Sequence, residues 1–281
     1  MRLLFIGGDM RMVYTAEKIG RLYEADTLGL GEEKKPSGKY QIIVLPMPLT
    51  SDGEHIISPL SCEEIPIDRA AEYAQEGTVV YSGGYSSRLW EICRKHNMVC
   101  ENYLSRETLI LKNAALTAEA AAGLLINSTS GSLLGSNALI IGFGRIAKEL
   151  AKRLKAFGCN VTAAARNPAD RALAELSGFS ALSIGDIIIH LAEFDYVINT
   201  APVQIFTDRH FAGMKEGGAF MELATLGAEP SCGLCGKFGL KYIPGGGLPG
   251  KYSPKTAGEF IAQEIMTDCG NKAEVPRKDS D

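Results

Sequence analysis

Short apolar runs alternate with amphipathic stretches along this chain, and each run is brief enough to be a strand rather than a helix. Leu3 to Ile6 is one such run. It breaks at Gly7-Gly8-Asp9, a helical spacing follows from Thr15 to Glu24, and a second run occupies Gln41 to Leu45. Thr78 to Tyr81 reads as a further strand ending in Ser82-Gly83-Gly84, followed by a helix over Ser87 to Lys95. Strand, turn, helix and strand in this order is the rhythm of a parallel sheet. From Glu101 to about Ser130 the spacing turns helical and rich in Ala and Leu, through Leu109, Leu116, Ala120 and Leu124. A helix of that length is able to cross between domains.

The small polar stretch Asn127-Ser128-Thr129-Ser130-Gly131-Ser132 has the composition of a linker. A second strand and helix series then runs from Ala138 to Ile243. Ser253-Pro254 opens a last helical pattern through Met266, with Pro254 in the first turn, where a missing N–H does no harm. The fold expected is α/β, with two Rossmann-like, doubly wound domains built on parallel sheets. Residues 1–130 form an N-terminal substrate or partner domain and 131–250 an NAD(P)-binding domain. Residues 251–270 form a C-terminal helix that packs between the domains or returns to the first, and 271–281 a disordered tail.

The nucleotide signal is Ala138-Leu139-Ile140-Ile141-Gly142-Phe143-Gly144-Arg145-Ile146-Ala147, a buried-strand run that enters GxGxxA and then a helix from Arg145 to Phe157. In this context Gly142 makes the tight turn, Gly144 lets the backbone approach a pyrophosphate, and Ala147 lets helix pack closely on strand. The next strand, Asn160 to Ala165, ends at Arg166, and 166 − 142 = 24 is close to where an NAD-binding fold puts a ribose-binding carboxylate. An arginine there suits a 2′-phosphate instead, with Asn167 adding polar contacts, which favours NADP over NAD. The alternative is that Arg166 covers a helix end. Asp195 to Asn199 and Ala219 to Leu223 are two more strands, and the residues after them, Thr200-Ala201-Pro202 and Ala224-Thr225, are expected to line the nicotinamide side.

Composition narrows the partners. With 281 residues, 46% apolar content and a net charge of -4, the chain has ample core for two domains and no basic excess for nucleic acid. No uninterrupted apolar run reaches the roughly 18 residues of a membrane span, and a cytoplasmic protein is expected. The seven cysteines form an odd set lying mostly in apolar patterns, so structural thiols are expected. Cys232 and Cys235 make a lone CxxC without further ligands at metal spacing, so no metal site is expected.

Several segments together resemble the family of the dipicolinate synthase A subunit. They are Gly7-Gly8-Asp9-Met10-Arg11, Glu101-Asn102-Tyr103, Asn113 to Glu119, Gly142 to Arg145, Ala165-Arg166 and Asn199 to Pro202. The most specific is Leu248-Pro249-Gly250-Lys251-Tyr252-Ser253-Pro254-Lys255-Thr256-Ala257-Gly258, a loop not generic to dinucleotide folds. The resemblance implies an NAD(P)-dependent subunit that works with the flavoprotein-like B subunit of dipicolinate synthase. Together they oxidise a dihydrodipicolinate-type precursor, derived from hydroxy-tetrahydrodipicolinate, to dipicolinate in the mother cell of a sporulating bacterium. A homo-oligomer is also expected.

The element order is similar to that of the D-2-hydroxyacid dehydrogenases, but two catalytic positions of that family fail. The arginine expected after the strand Ala219 to Leu223 is absent from Ala224-Thr225-Leu226-Gly227, and no histidine follows His210. Two carboxylates of a dihydropyridine substrate call for cations and hydroxyls at strand ends. Arg11 beside the first glycine turn and Ser86 and Ser87 beside the second are the substrate-binding candidates. Lys251, Lys255 and Thr256 are the catalytic ones, with Glu119 or Asp9 as base. Each has a plain alternative as a helix cap or surface charge. Two rival functions stay open: an NADP-dependent oxidoreductase on another small carboxylate, and a non-catalytic dinucleotide-binding regulatory protein.

Overall fold

The computed structural model describes residues 1–31, 36–224 and 228–274, and it falls into two compact units. Unit 1 combines Met1–Asn113 with Gly250–Asp281, and unit 2 is the continuous stretch Ala114–Pro249.

In unit 1 the strands are β1 (Arg2–Ile6), β2 (Glu24–Leu28), β3 (Tyr40–Val44), β4 (His55–Ile56), β5 (Ile65–Pro66), β6 (Ala74–Ser82) and β7 (Val99–Asn102). The helices α1 (Met10–Gly20), α2 (Arg69–Tyr73) and α3 (Ser87–Lys95) lie between them, and α4 (Glu107–Ser128) follows. Five strands form one parallel sheet in the order β2-β1-β3-β6-β7, and β4 and β5 pair antiparallel beside it.

In unit 2 the chain runs β8 (Asn137–Ile141), α5 (Arg145–Ala156), β9 (Asn160–Ala165), α6 (Pro168–Leu176), β10 (Ser180–Ser183), α7 (Ile187–His190) and β11 (Tyr196–Asn199). It continues through α8 (Asp208–Ala212), β12 (Ala219–Glu222), α9 (Ala228–Lys237) and β13 (Lys241–Pro244); α10 (Leu248–Tyr252) and α11 (Pro254–Glu274) close the described chain. The sheet is parallel throughout with the order β10-β9-β8-β11-β12-β13. Counted within the unit this is 3-2-1-4-5-6, the doubly wound dinucleotide order; unit 1 reads 2-1-3-4-5, the other common doubly wound order. Both domains are therefore Rossmann-like.

Alternation along the strands sends neighbouring side chains to opposite layers. In β8, Ala138 and Ile140 meet the α4 and α5 side through Ala121, Leu125, Ala147, Leu150 and Leu154, while Leu139 and Ile141 meet Ile187, Phe206 and Phe211. In unit 1, Leu4 and Ile6 face Leu89 and Ile92 of α3, whereas Leu3 and Phe5 face Met12, Ala16 and Ile19 of α1 with Ile261, Ala262 and Ile265 of α11. The C-terminal helix thus returns to the first domain. It crosses α1 so closely that a Cβ on Gly258 would run into the Arg11 carbonyl and lie 3.0 Å from Tyr14 Cβ. Thr15, fully buried at the crossing, donates its hydroxyl to Arg11 O at 2.8 Å and Gly258 O at 3.0 Å. Further along α11, Asp268 accepts from Arg106 and from the Tyr81 hydroxyl.

Several elements differ from the pattern-based reading. Helix α1 begins at Met10 rather than Thr15, because Asp9 caps it by accepting from Arg11 N at 3.0 Å. Glu24, expected in that helix, opens β2. The strands β2, β7 and β10 were not legible as runs; each lies at a sheet edge and none is fully buried. The division between units falls inside α4, at Asn113/Ala114, and not at the polar stretch after it. Its later residues, Ala118, Ala121 and Leu125, belong to the unit 2 core, and Leu109 to that of unit 1. Taken whole, α4 is long and apolar enough by length and composition to cross a bilayer, although no uninterrupted run in it is. Helix α11 continues to Glu274, past the expected start of the tail at 271, and residues 275–281 lie outside the described residues.

Candidate functional site

The sheet order of unit 2 reverses between β8 and β11, and ligands of such sheets sit outside the carboxyl ends of the strands at that point. Gly142 and Thr200 face each other there. Gly142 has φ +92°, a conformation that costs an L-residue energy, and a Cβ on it would lie 2.8 Å from Thr200 Oγ1. Thr200 is fixed in turn, since its N and Oγ1 both donate to the Ile141 carbonyl, at 3.0 and 2.7 Å. Gly144 caps α5 with open space where a Cβ would stand. The first turn of α5 therefore presents its amide end at the switch point, a favourable seat for an anion. Ala147 is fully buried in the core below, as its close-packing role requires.

Two motif residues act differently from their neighbours. Phe143 turns its side chain into the core, edge-on to Phe179 at 6.2 Å, so only its backbone is available to a ligand. Asn167 is a helix cap: its Oδ1 accepts from Ala169 N at 3.0 Å, ahead of Pro168 at the start of α6. Arg166 at the end of β9 is exposed, and its carbonyl accepts from Arg171 at 2.8 Å. Arg145 is exposed and Ile146 half-buried at the start of α5.

Next to the switch point, Asn199 and Glu222 end the neighbouring strands β11 and β12 in direct register. Asn199 Nδ2 donates to Glu222 Oε1 at 2.9 Å, and each residue is only 3% exposed. Burial raises the Glu222 carboxyl above its ordinary range, while the bonds from Asn199 and Ala224 N pull it down. Burial, and then the charge of Glu222, also raises the hydroxyl of Tyr242 on β13. This pair was not named from the sequence. The available signal was a glutamate inside the apolar run Ala219-Phe220-Met221-Glu222-Leu223, where a solvent-facing charge has no place.

In unit 1 the carboxyl ends of β1, β3 and β6 converge. Arg11 is mostly buried and grips Asp9, Nε to Oδ1 at 2.9 Å and Nη2 to Oδ2 at 2.8 Å, while Nη2 also donates to Met47 O. Gly83, after β6, lies against Pro46, Met47 and the Tyr103 hydroxyl. Gly250 lies on the Asp9–Arg11 pair, 3.0 Å from Asp9 Oδ2 to an ideal Cβ. Ser86 caps α3 by accepting from Leu89 N at 3.3 Å, and Ser87 is exposed beside it.

Comparison with known proteins matches this architecture. Residues 2–104 match the N-terminal domain of the dipicolinate synthase A subunit, and residues 113–225 the NAD binding domain of D-isomer specific 2-hydroxyacid dehydrogenases. The dipicolinate synthase A subunit of Bacillus subtilis (strain 168) is 25% identical over 286 residues, covering 94% of each chain. The chain is related to the dipicolinate synthase A subunit. Crystal structures of that protein from Bacillus halodurans and Bacillus subtilis superpose with TM-scores of 0.82 and 0.80, each at 24% identity and with 98% of both chains covered. Their likeness bears on the fold.

In this relative of the dipicolinate synthase A subunit, an NAD-binding domain of dehydrogenase type makes the chain an oxidoreductase in broad class. The structure gathers Gly142, Gly144, Arg145, Ile146, Thr200 and Ala201 around one switch point. Pro202 is exposed just beyond them, and Ala224 is buried at the end of β12. Thr225 lies outside the described residues. In unit 1 the Asp9–Arg11 pair meets Gly250, which places Lys251 at the next position; Lys255 and Thr256 are exposed in the first turn of α11. Glu119 is exposed in the unit 2 portion of α4. Of the CxxC, Cys232 is exposed and Cys235 buried, its thiol pushed up to about 12 first by burial and then by the nearby Cys232. A thiol held protonated in this way is a poor nucleophile.

Proposed function

We propose that this chain is the dinucleotide-binding component of a dipicolinate synthase, acting in the mother-cell cytoplasm during spore formation. It oxidises dihydrodipicolinate, derived from hydroxy-tetrahydrodipicolinate, to dipicolinate. The observation that carries this reading is the pairing, in one chain, of a switch-point GxGxxA turn with an N-terminal unit of the dipicolinate synthase type.

A bound nicotinamide would accept the hydride from the dihydropyridine ring, and the ring becomes aromatic as a proton leaves an adjacent carbon. The chain's own groups then have only to orient a dicarboxylate and to take up that proton. Arg11, in the first turn of α1 after the first glycine turn, is the candidate cation for a substrate carboxylate. Its bidentate grip on Asp9 holds the guanidinium in place before substrate arrives, and Asp9 is one candidate base in the same cluster. The α3 N-terminus behind Ser86 adds a positive end, and Lys251, Lys255 and Thr256 supply further donors along α10 and α11. Glu119 is the alternative base. The flavoprotein-like B subunit would be the partner, and the name of the Bacillus subtilis relative, one lettered component of a synthase, supports there being one.

Arg166 supports a preference for the 2′-phosphorylated cofactor, since it stands exposed where β9 ends and no carboxylate takes the ribose position. Arg166→Asp is expected to weaken NADP by about tenfold to a hundredfold, the size of one charge-assisted contact. NAD affinity should change far less. Titration with both cofactors checks this, and equal losses would overturn the assignment.

The function itself is tested by dipicolinate formation, followed by ultraviolet absorbance, from freshly generated hydroxy-tetrahydrodipicolinate with NADP or NAD. The assay is run with and without a candidate B subunit. Product that needs both chains supports the two-component synthase. Cofactor binding without product in either case moves the reading to an oxidoreductase of another small carboxylate. Product from the partner alone would make this chain a regulatory component, which is favoured only by the absence of the arginine and histidine of the 2-hydroxyacid dehydrogenases.

A further inference from the structure

We infer that Glu222 is a positioning residue for the nicotinamide half of the cofactor, holding Ala224 directly and the Thr200-Ala201 turn through Asn199. The inference rests on the dinucleotide reading of unit 2. Glu222 is the one charged side chain among the buried described residues. A buried carboxyl is costly, and sites that keep one commonly use it.

Its hydrogen bonds run in one direction. Ala224 N donates to Glu222 Oε1 at 3.1 Å, Asn199 Nδ2 donates to the same oxygen at 2.9 Å, and Ala201 N donates to Asn199 Oδ1 at 3.1 Å. One carboxyl oxygen therefore joins the Thr200-Ala201 turn after β11 to Ala224, just past β12. Neither side chain points its remaining capacity at bulk water, because both are nearly fully covered. The groups facing Glu222 from neighbouring strands are Asn199 of β11 and Tyr242 of β13, neither of them cationic. Among the described residues the carboxyl is thus not half of an ion pair, and its partners are Asn199 and the Ala224 backbone.

The two halves of such a sheet bind the two halves of a dinucleotide. Gly142, α5 and Arg166 belong to the adenosine side, which is built from β8, β9 and β10; the Asn199–Glu222 pair ends strands of the other half. Loosening the pair should therefore affect the nicotinamide end and spare the adenosine end.

Glu222→Leu removes the shared acceptor and leaves Ala224 N and Asn199 Nδ2 without it. Glu222→Gln keeps an oxygen at that position and serves as the rescue. Binding of NADP, NAD and adenosine diphosphate to the full chain is measured by calorimetry, with thermal melting alongside. The expected result is a rise of about tenfold in Kd for the dinucleotides in the leucine variant. Adenosine diphosphate should bind unchanged, and the glutamine variant should stay within about twofold of wild type for all three. Equal weakening of adenosine diphosphate and dinucleotide would assign Glu222 to general stability, and unchanged binding of both would remove its role; either result overturns the inference. Wild-type protein that binds none of the three ligands would instead overturn the dinucleotide reading beneath it.

Discussion

Replacing Gly142 with valine is expected to lower dinucleotide affinity by about a hundredfold or more while the chain remains folded. Two costs combine at this residue. Its φ of +92° lies in a region that L-residues with branched side chains avoid, which costs on the order of 1–2 kcal/mol. The new Cβ would also stand 2.8 Å from Thr200 Oγ1, and that oxygen cannot simply swing aside, because it donates to Ile141 O at 2.7 Å. Breaking that bond costs about another 1 kcal/mol and displaces the turn beside the α5 N-terminus. The strain is relieved most easily by moving the backbone into the space that a pyrophosphate must enter. Fluorescence titration with a reduced dinucleotide, with circular dichroism as the folding control, measures the effect. Wild-type affinity in a folded valine variant would show that the pyrophosphate is bound elsewhere. Gly142→Ala should show the same direction with a smaller loss.

The second large effect is on stability. Gly258→Val should destabilise unit 1 by about 3 kcal/mol or more, because the crossing of α1 and α11 leaves no room for a side chain against the Arg11 carbonyl and Tyr14. The helices have to separate for it to fit, and the apolar layer of Met12, Ile19, Ile261 and Ile265 opens with them. Urea unfolding monitored by circular dichroism gives the change. Thr15→Val at the same crossing removes a buried hydroxyl that donates to both helices and should cost about 1–2 kcal/mol. Dinucleotide affinity measured well below the transition should be unchanged in both variants, since the Gly142 turn belongs to unit 2. A Gly258 variant with wild-type stability would mean that the two helices pack less tightly than described.

The sequence was most legible where a strand is buried on both faces and a strong helical period follows. The β8–α5–β9 segment illustrates this: Ala138 to Ile141 is an unbroken apolar run, and α5 repeats Ala147, Leu150, Ala151 and Leu154 on one face. The edge strands behave differently. Glu24–Leu28 reads Glu-Ala-Asp-Thr-Leu and Ser180–Ser183 reads Ser-Ala-Leu-Ser, so neither has an apolar run to separate it from a loop. Their pairing comes from the neighbouring strand rather than from their own composition. In the candidate site, the glycine turn was legible because its residue types are dictated locally. The Asn199–Glu222 pair was not, because its two members stand 23 residues apart and meet only through the register of β11 with β12. Arg11 was legible as a cation at a strand end, but its engagement with Asp9 and Met47 depends on where the β3 loop passes.

Unit 1 is made from both ends of the chain, with unit 2 inserted between them. During synthesis the usual order is that the N-terminal domain folds first. Here that order is reversed for completion. The continuous unit 2 has all of its strands once Pro244 has left the ribosome, whereas the apolar layer over Leu3 and Phe5 waits for Ile261 and Ile265. The segment Met1–Asn113 is thus made before unit 2 and closed after it, and its α1 face stays uncovered on the nascent chain until Ile261 and Ile265 arrive.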